Sequence, residues 1–249
     1  MKNIKLIVEY DGTNYFGWQS QPDGNTVQDK IQKAIFETTG QKVNLSAAGR
    51  TDAGVHALGQ TANFQIEHTI EPTKYKNALN YYLPKDIRIK LSSEVELGFH
   101  SRFDAQSKVY RYIIGFEKSA LSYKHRWEIS EELDFDILVE SAKYIIGEHD
   151  FAPFCVVSSR KENNLCTINS ANWKREQEQA IFEVNGNRFL HSMIRSLVGA
   201  MVDLASVKKD NSKHNLTLES FRDIIESSTD YRITSTAPAH GLYLVSVEY

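Results

Sequence analysis

Cysteine is scarce in this sequence of 249 residues, and the motifs of metal and disulfide chemistry are missing. The only two cysteines, Cys155 and Cys166, lack the CxxC spacing of zinc knuckles and are too few for a disulfide framework. We expect both to be small packing residues. His149 and Asp150 have no third ligand at a suitable spacing, so we expect no metal site there.

Long apolar runs are also absent. No stretch approaches the about 20 residues that a membrane-spanning helix needs, and Met1-Lys2-Asn3 leads into a strand pattern without a signal-peptide core. A composition of 41% hydrophobic and 24% charged residues is typical of soluble globular proteins. We therefore expect a cytoplasmic protein without membrane contacts.

The chain has no excess of positive charge, since its formal net charge is −3. This excludes a protein that holds nucleic acid by bulk charge alone, but it leaves room for a local basic surface. Residues 100–126 contain six Lys or Arg and two acids, whereas residues 128–136 contain five acids and no base. This separation suits one nucleic-acid face. Two ordinary solvated surfaces explain it equally well.

Hydrophobic periodicity predicts an α+β fold made of two similar halves. Strand, turn, helix and strand follow one another at about 4–66 and again at 110–185. Each half is expected to be a mostly antiparallel sheet backed by helices, and the halves are expected to face each other across a central cleft. The predicted domains are 1–103 and 104–249.

The elements behind this prediction have local signals. Strands are predicted at 4–10, 43–48, 62–66, 87–91, 110–114, 168–174, 180–185 and 242–249. Thr26 with Asp29 predicts a capping box for a helix that Gly40 ends. Further helices are predicted at 74–82, 135–146, 188–205 and 221–226.

Residues 49–57 read Gly-Arg-Thr-Asp-Ala-Gly-Val-His-Ala and form the most informative stretch. Asp52 lies two residues from Arg50, a cation that can keep its carboxylate ionised. An ionised, partly desolvated aspartate can act as a nucleophile or a base. The alternative is an Asx-turn in which Asp52 caps the loop and Arg50 belongs to a solvated surface pair.

Two other elements carry candidate site residues. In the predicted helix 188–205, Arg188, His191 and Arg195 recur at intervals of three and four, which predicts a basic stripe. Arg195 is a candidate partner for Asp52, whereas snorkelling of both arginines to solvent is the alternative. Tyr110 shares a strand face with Tyr112 beside basic residues, which suits stacking on an unstacked base but is also common in a core.

The sequence resembles the TruA family of tRNA pseudouridine synthases. The resemblance rests on motifs in the family's order that span nearly the whole chain: Tyr10-Asp11-Gly12, Gly17-Trp18-Gln19, Thr26-Val27-Gln28, the Asp52 loop, Phe99-His100-Ser101-Arg102-Phe103, Tyr110-Arg111-Tyr112, 147–151, 187–199 and Gly241-Leu242. It implies the pseudouridine synthase fold. It also implies a homodimer that converts uridine to pseudouridine at positions 38 to 40 of the tRNA anticodon stem-loop, without a metal or an organic cofactor.

The resemblance also implies roles for individual residues. Asp52 matches the catalytic aspartate, Arg195 its paired arginine, and Arg50 a loop arginine that helps to displace the target base. Tyr110 matches the tyrosine stacked on the target uracil, and Arg188 and His191 are further candidate substrate-binding residues.

Three other functions remain possible. They are a pseudouridine synthase that acts on a different RNA position, an RNA-binding homologue without turnover, and a retaining glycosidase. The glycosidase lacks an obvious second carboxylate. The replacement of basic residues by Phe154-Cys155-Val156-Val157 leaves the RNA footprint open.

Overall fold

The structure is a computed structural model that describes residues 1–22, 24–207, 216–227 and 233–249. The chain forms two compact units, one made of Met1–Lys108 with Tyr243–Tyr249 and the other of Val109–Leu242. The division into 1–103 and 104–249 stays a prediction.

The described residues contain ten strands and five α-helices. The strands are β1 (Lys2–Tyr10), β2 (Ser46–Ala47), β3 (His56–Ile66), β4 (Ile87–Val95), β5 (Ser107–Gly115), β6 (Trp127–Glu128), β7 (Gly147–Asp150), β8 (Leu165–Glu176), β9 (Gln179–Gly186) and β10 (Leu242–Glu248). The helices are α1 (Val27–Thr39), α2 (Tyr75–Tyr82), α3 (Phe135–Tyr144), α4 (Met193–Ala205) and α5 (Leu218–Glu226). Among the helices of the described ranges, none combines the length and the apolar character needed to cross a bilayer.

In the first unit the strands lie in the order β4, β1, β3, β10. β1 pairs antiparallel with both β3 and β4, β2 pairs antiparallel with β3, and β10 runs parallel to β3. α2 packs on β4 and on α1. The N-cap half of the predicted capping box is confirmed, because the Thr26 hydroxyl accepts a hydrogen bond from the Asp29 amide. The Asp29 carboxylate accepts from the Thr26 hydroxyl instead of the Thr26 backbone N–H, so the reciprocal half is not formed.

In the second unit the order is β5, β9, β8, β7, with β6 parallel to β5. β8 pairs antiparallel with β7 and β9, and α3 packs on β8 and on α4. The predicted α+β class, with mostly antiparallel sheets backed by helices, is confirmed.

The predicted strands all differ from the observed ones by one or more residues at their ends, and for two of them the contacts explain the difference. The strand predicted at 43–48 is only Ser46–Ala47, because side chains of α1 take the carbonyl groups before it: Gln32 donates to Val43 O and Gln28 to Leu45 O. The strand predicted at 62–66 begins earlier, at His56, because pairing with β10 extends it.

On the polar face of β3, Asn63 is buried in an amide network, whereas Gln65 at the end of the strand is exposed. Asn63 is 6% exposed, and its side chain donates to Asn3 Oδ1 at 3.0 Å and to Phe99 O at 3.2 Å. Its Oδ1 accepts from the Ser101 amide at 2.9 Å. Asn3 also donates to Glu96 O at 2.9 Å and to Phe99 O at 2.8 Å. These bonds hold residues 96–101, which have no regular secondary structure, against the sheet.

We expect Asn63→Ala to lower the free energy of unfolding by about 3 kcal/mol, because it leaves several buried polar groups without a partner. Gln65→Ala is the matched control on the same strand, since Gln65 is exposed and makes one bond, to Leu97 O. It should cost no more than about 1 kcal/mol. Urea unfolding with an unchanged slope measures both effects, and equal costs would contradict a structural role of the network.

Candidate active site

The loop that carries Asp52 joins β2 to β3, and bonds hold it at both ends. Gln60 on β3 donates to Gly49 O at 2.8 Å, and the Val55 amide donates to Asp52 O at 3.2 Å, which closes a turn over residues 52–55. Within this turn the Asp52 side chain is half-buried, and Arg50 before it is exposed. A carboxylate on such a loop is accessible to a substrate, while the backbone that carries it is held in a fixed position.

Between these two residues, Thr51 is 7% exposed and ties the loop to a second one, residues 11–19. Its hydroxyl shares a 2.8 Å hydrogen bond with the buried Tyr10 hydroxyl, and its carbonyl accepts from the Trp18 amide at 3.1 Å. Burial raises the pKa of Tyr10, so this phenol stays protonated and the bond persists across the physiological range.

Glycines allow the second loop to approach the first closely. Gly17 has a φ of 87°, and a Cβ atom at this position would lie 2.5 Å from Thr51 O. A Cβ atom at Gly12 would lie 2.0 Å from Val55 O. Backbone thus packs directly on backbone on both sides of Asp52, and these contacts preorganise the loop.

His56 completes the support at the end of the Asp52 loop. The ring is 2% exposed, and its Nδ1 lies 3.1 Å from the Gly12 amide nitrogen, which donates to it, and 3.1 Å from Asp11 Oδ1. The ring also stacks on Tyr243 at a centroid distance of 4.7 Å. One buried imidazole therefore connects the start of β3, the second loop and β10.

The side chains that support the loop were not identified from the sequence. Tyr10, Thr51 and His56 look like ordinary strand and loop residues in the sequence, and their contacts span tens of residues. Their one signal is membership in the family motifs, Tyr10 in Tyr10-Asp11-Gly12 and both Thr51 and His56 in the Asp52 loop, but motif membership predicts no contact between them.

In the second unit, Tyr110 lies on β5 and is 7% exposed. Its ring meets Phe189 edge to face at a centroid distance of 5.1 Å. Tyr112 on the same strand is fully buried and donates to Pro238 O at 2.7 Å. The predicted aromatic face is therefore packed, with Tyr110 at its more accessible end.

Arg195, also in the second unit, is half-buried near the start of α4. Its Nε donates to Ala237 O at 2.8 Å, while its own carbonyl accepts from the Ala237 amide at 3.0 Å. Burial raises the pKa of Tyr112, and the positive charge of Arg195 partly opposes that shift. The alternative in which Arg195 snorkels freely to solvent does not fit this anchored guanidinium.

The predicted helix 188–205 is wrong at its start, because α4 begins only at Met193. Ser192 has a φ of 60°, in the left-handed region, and this conformation interrupts any helix that precedes it. Before it, Asn187 still pairs with Thr167 of β8 through its amide and its side-chain oxygen. Arg188, His191 and Arg195 therefore do not form one helical stripe.

Arg188 and His191 lie instead in the segment between β9 and α4. His191 is exposed, and its Nδ1 lies 2.8 Å from the Ser159 hydroxyl. Burial raises the pKa of the Cys166 thiol to about 11, and the nearby charge of Arg188 works against that rise. Both cysteines are buried and free, which confirms them as packing residues.

The predicted separation of positive from negative charge is also incomplete. Arg126 is 8% exposed, donates to Glu117 O at 2.7 Å and lies 3.6 Å from the Glu128 carboxylate. Arg111 pairs with Glu183 across β5 and β9 at 3.0 Å. At least two of the six cations in residues 100–126 therefore contact acidic or carbonyl groups of the protein.

Comparison with known proteins gives the family. A family model described as tRNA pseudouridine synthase matches residues 6–104 and 141–249. The chain is 43% identical to the tRNA pseudouridine synthase A of Acetivibrio thermocellus and 38% identical to that of Clostridium acetobutylicum. Both alignments cover 100% of this chain and 100% of the relative. A chain in a solved Cbf5-Nop10-Gar1 complex aligns with 78% of this chain and over 43% of its own length, at 11% identity and a TM-score of 0.36.

Proposed function

Because the chain belongs to the tRNA pseudouridine synthase family and is therefore an isomerase, we propose that it converts uridine to pseudouridine at positions 38, 39 or 40 of the tRNA anticodon stem-loop, with Asp52 as nucleophile. The observation that carries this proposal is the half-buried Asp52 carboxylate on a loop fixed by Tyr10 and Trp18. Such preorganisation is what a reaction at one atom of a large substrate requires.

The chemistry fits a carboxylate as the central group. The target uridine leaves its stack, the bond between C1′ and N1 breaks, and the uracil turns and reattaches through C5. C5 then gives up a proton to water, and N1, released from the ribose, takes up a proton. Asp52 assists by attacking C1′ of the ribose or by adding to the uracil ring. Atoms are conserved in this isomerisation, so the proposed reaction needs neither a metal nor an organic cofactor.

Other residues have supporting roles in this proposal. The resemblance assigns Arg195 the role of partner to the Asp52 carboxylate. Arg50, exposed before Asp52, helps to displace the target base, and Tyr110 stacks on the target uracil. Arg188 and His191 contact the RNA backbone from the segment before α4. The resemblance also supports a cytoplasmic homodimer with RNA lying across both copies. Sedimentation velocity of the protein tests the homodimer.

Mapping of modified positions tests the proposed site of action. Unmodified tRNA is incubated with the protein, treated with a carbodiimide that marks pseudouridine, and read by primer extension. We expect stops at positions 38 to 40. Stops elsewhere in the tRNA, or only in another RNA, would contradict the proposed specificity while leaving the isomerase activity in place.

A pair of substitutions tests the stacking role of Tyr110. Tyr110→Phe keeps the aromatic face, so kcat/KM should stay within about threefold of the parent, whereas Tyr110→Leu should lower it by about 10- to 100-fold. Tritium release from 5-labelled uridine in tRNA measures both. Equal activity of the two variants would remove the stacking role.

A further inference from the structure

A second cluster of aromatic and basic side chains lies on the first unit, outside the Asp52 loop. Phe103 is 74% exposed, its ring contacts His100 at a centroid distance of 4.3 Å, and the Arg102 guanidinium lies 5.7 Å from it. Beside them, Lys5 lies 5.7 Å from the Phe99 ring and 5.8 Å from the Tyr249 ring. We call these residues the Phe103 patch: Lys5, Phe99, His100, Arg102, Phe103 and Tyr249.

The backbone under the patch is fixed by the amide network. The Ser101 amide donates to Asn63, the Ser101 hydroxyl donates to Ser46 O at 2.9 Å, and its carbonyl accepts from the Tyr249 hydroxyl at 2.8 Å. Ser46 lies on β2, which leads into the Asp52 loop. The buried bonds therefore set the position of the backbone from which Phe103 extends relative to that loop.

The chemistry of the patch suits RNA. Cations alternate with aromatic rings, and an exposed ring beside a guanidinium offers stacking to a base and charge to a phosphate. The neighbouring carboxylates are engaged within the protein: Asp104 accepts from the His100 amide at 2.9 Å, and Glu248 accepts from the Ser107 hydroxyl at 2.6 Å. Within the described part of the chain, no carboxylate forms an ion pair with Arg102, so its guanidinium can contact a ligand.

We propose that the Phe103 patch is a second RNA contact, where an unstacked nucleotide of the tRNA lies on the Phe103 ring while Arg102 and Lys5 contact flanking phosphates. This inference rests on the proposed function, since tRNA is the substrate in both. The contact supplies affinity and fixes the RNA at a point other than the reacting uridine, without a role in bond breaking.

Binding of full-length tRNA tests the contact. Phe103→Leu should raise Kd by about 5- to 100-fold, and Phe103→Trp should keep affinity. The indole fluorescence of Phe103→Trp should be quenched when tRNA binds. Arg102→Gln should reduce the slope of log K against log salt by about one. Tyr81, which is 83% exposed on α2, provides matched controls, Tyr81→Leu and Tyr81→Trp, without these effects.

Three outcomes would overturn the inference. The first two are an unchanged Kd for Phe103→Leu and fluorescence quenching of Phe103→Trp no greater than that of Tyr81→Trp. The third is a Phe103→Leu variant that sediments as a smaller species than the parent, which would assign the patch to contact between copies. Tritium release by the parent separates this failure from that of the proposed function. If the parent releases tritium and Phe103→Leu binds tRNA as tightly as the parent does, the proposed function stands and only the role of the patch is refuted. If the parent releases no tritium, the proposed function itself is refuted.

Discussion

Replacement of Asp52 by Asn is expected to lower turnover by about 10⁴-fold or more while tRNA binding survives. Asn keeps the size of the side chain and leaves the turn intact, because the bond from the Val55 amide goes to the backbone carbonyl of Asp52. The substitution removes the charge and with it the nucleophile or base. Loss of turnover with retained binding therefore separates chemistry from recognition.

Tritium release from 5-labelled uridine in whole tRNA measures turnover, since formation of the bond at C5 expels the hydrogen there. Glu37→Gln, on the exposed side of α1, is the control for loss of one negative charge and should release tritium like the parent. Substantial release by Asp52→Asn would refute the nucleophile assignment. If Asp52→Asn loses tRNA binding as well as tritium release, the result would instead indicate that the carboxylate supports the loop.

The first helix could be predicted well from the sequence because its signals are local. Thr26, Asp29 and Gly40 lie within the helix or next to its ends, and the structure uses Thr26 and Gly40 as caps. The same reasoning failed at α4, where apolar periodicity continued through Ser192 although its backbone is left-handed. Periodicity reports which face is apolar and is insensitive to a single residue with an unusual φ.

The charged residues of the candidate site could be predicted from the sequence, but the residues that hold the loop in place could not. Asp52 and Arg50 stand out because their chemistry is visible in a short motif. The bond between Tyr10 and Thr51 joins residues that β-sheet formation brings together, so no local pattern encodes it. The same holds for Asn63, whose side chain bonds Phe99 O and the Ser101 amide, far from it in the sequence.

Gly12→Ala is expected to lower kcat/KM by at least about 100-fold although Gly12 carries no functional group. Its added Cβ atom would lie 2.0 Å from Val55 O and 2.6 Å from Val55 C, both backbone atoms that cannot rotate away. Either the second loop or the Asp52 loop must move, and the bond from the Gly12 amide to His56 weakens. A displacement of about 1 Å at a catalytic group suffices for such a loss.

The free energy of unfolding should fall by about 1 to 3 kcal/mol at the same time, so activity is measured where urea curves show the variant to be folded. Gly98→Ala is the matched control, since a Cβ atom there meets nothing within 4 Å. It should keep parental stability and turnover. A folded Gly12→Ala variant with parental kcat/KM would mean that close packing of the two loops does not position Asp52. A folded variant with intact tRNA binding and lost turnover would locate the effect at the carboxylate.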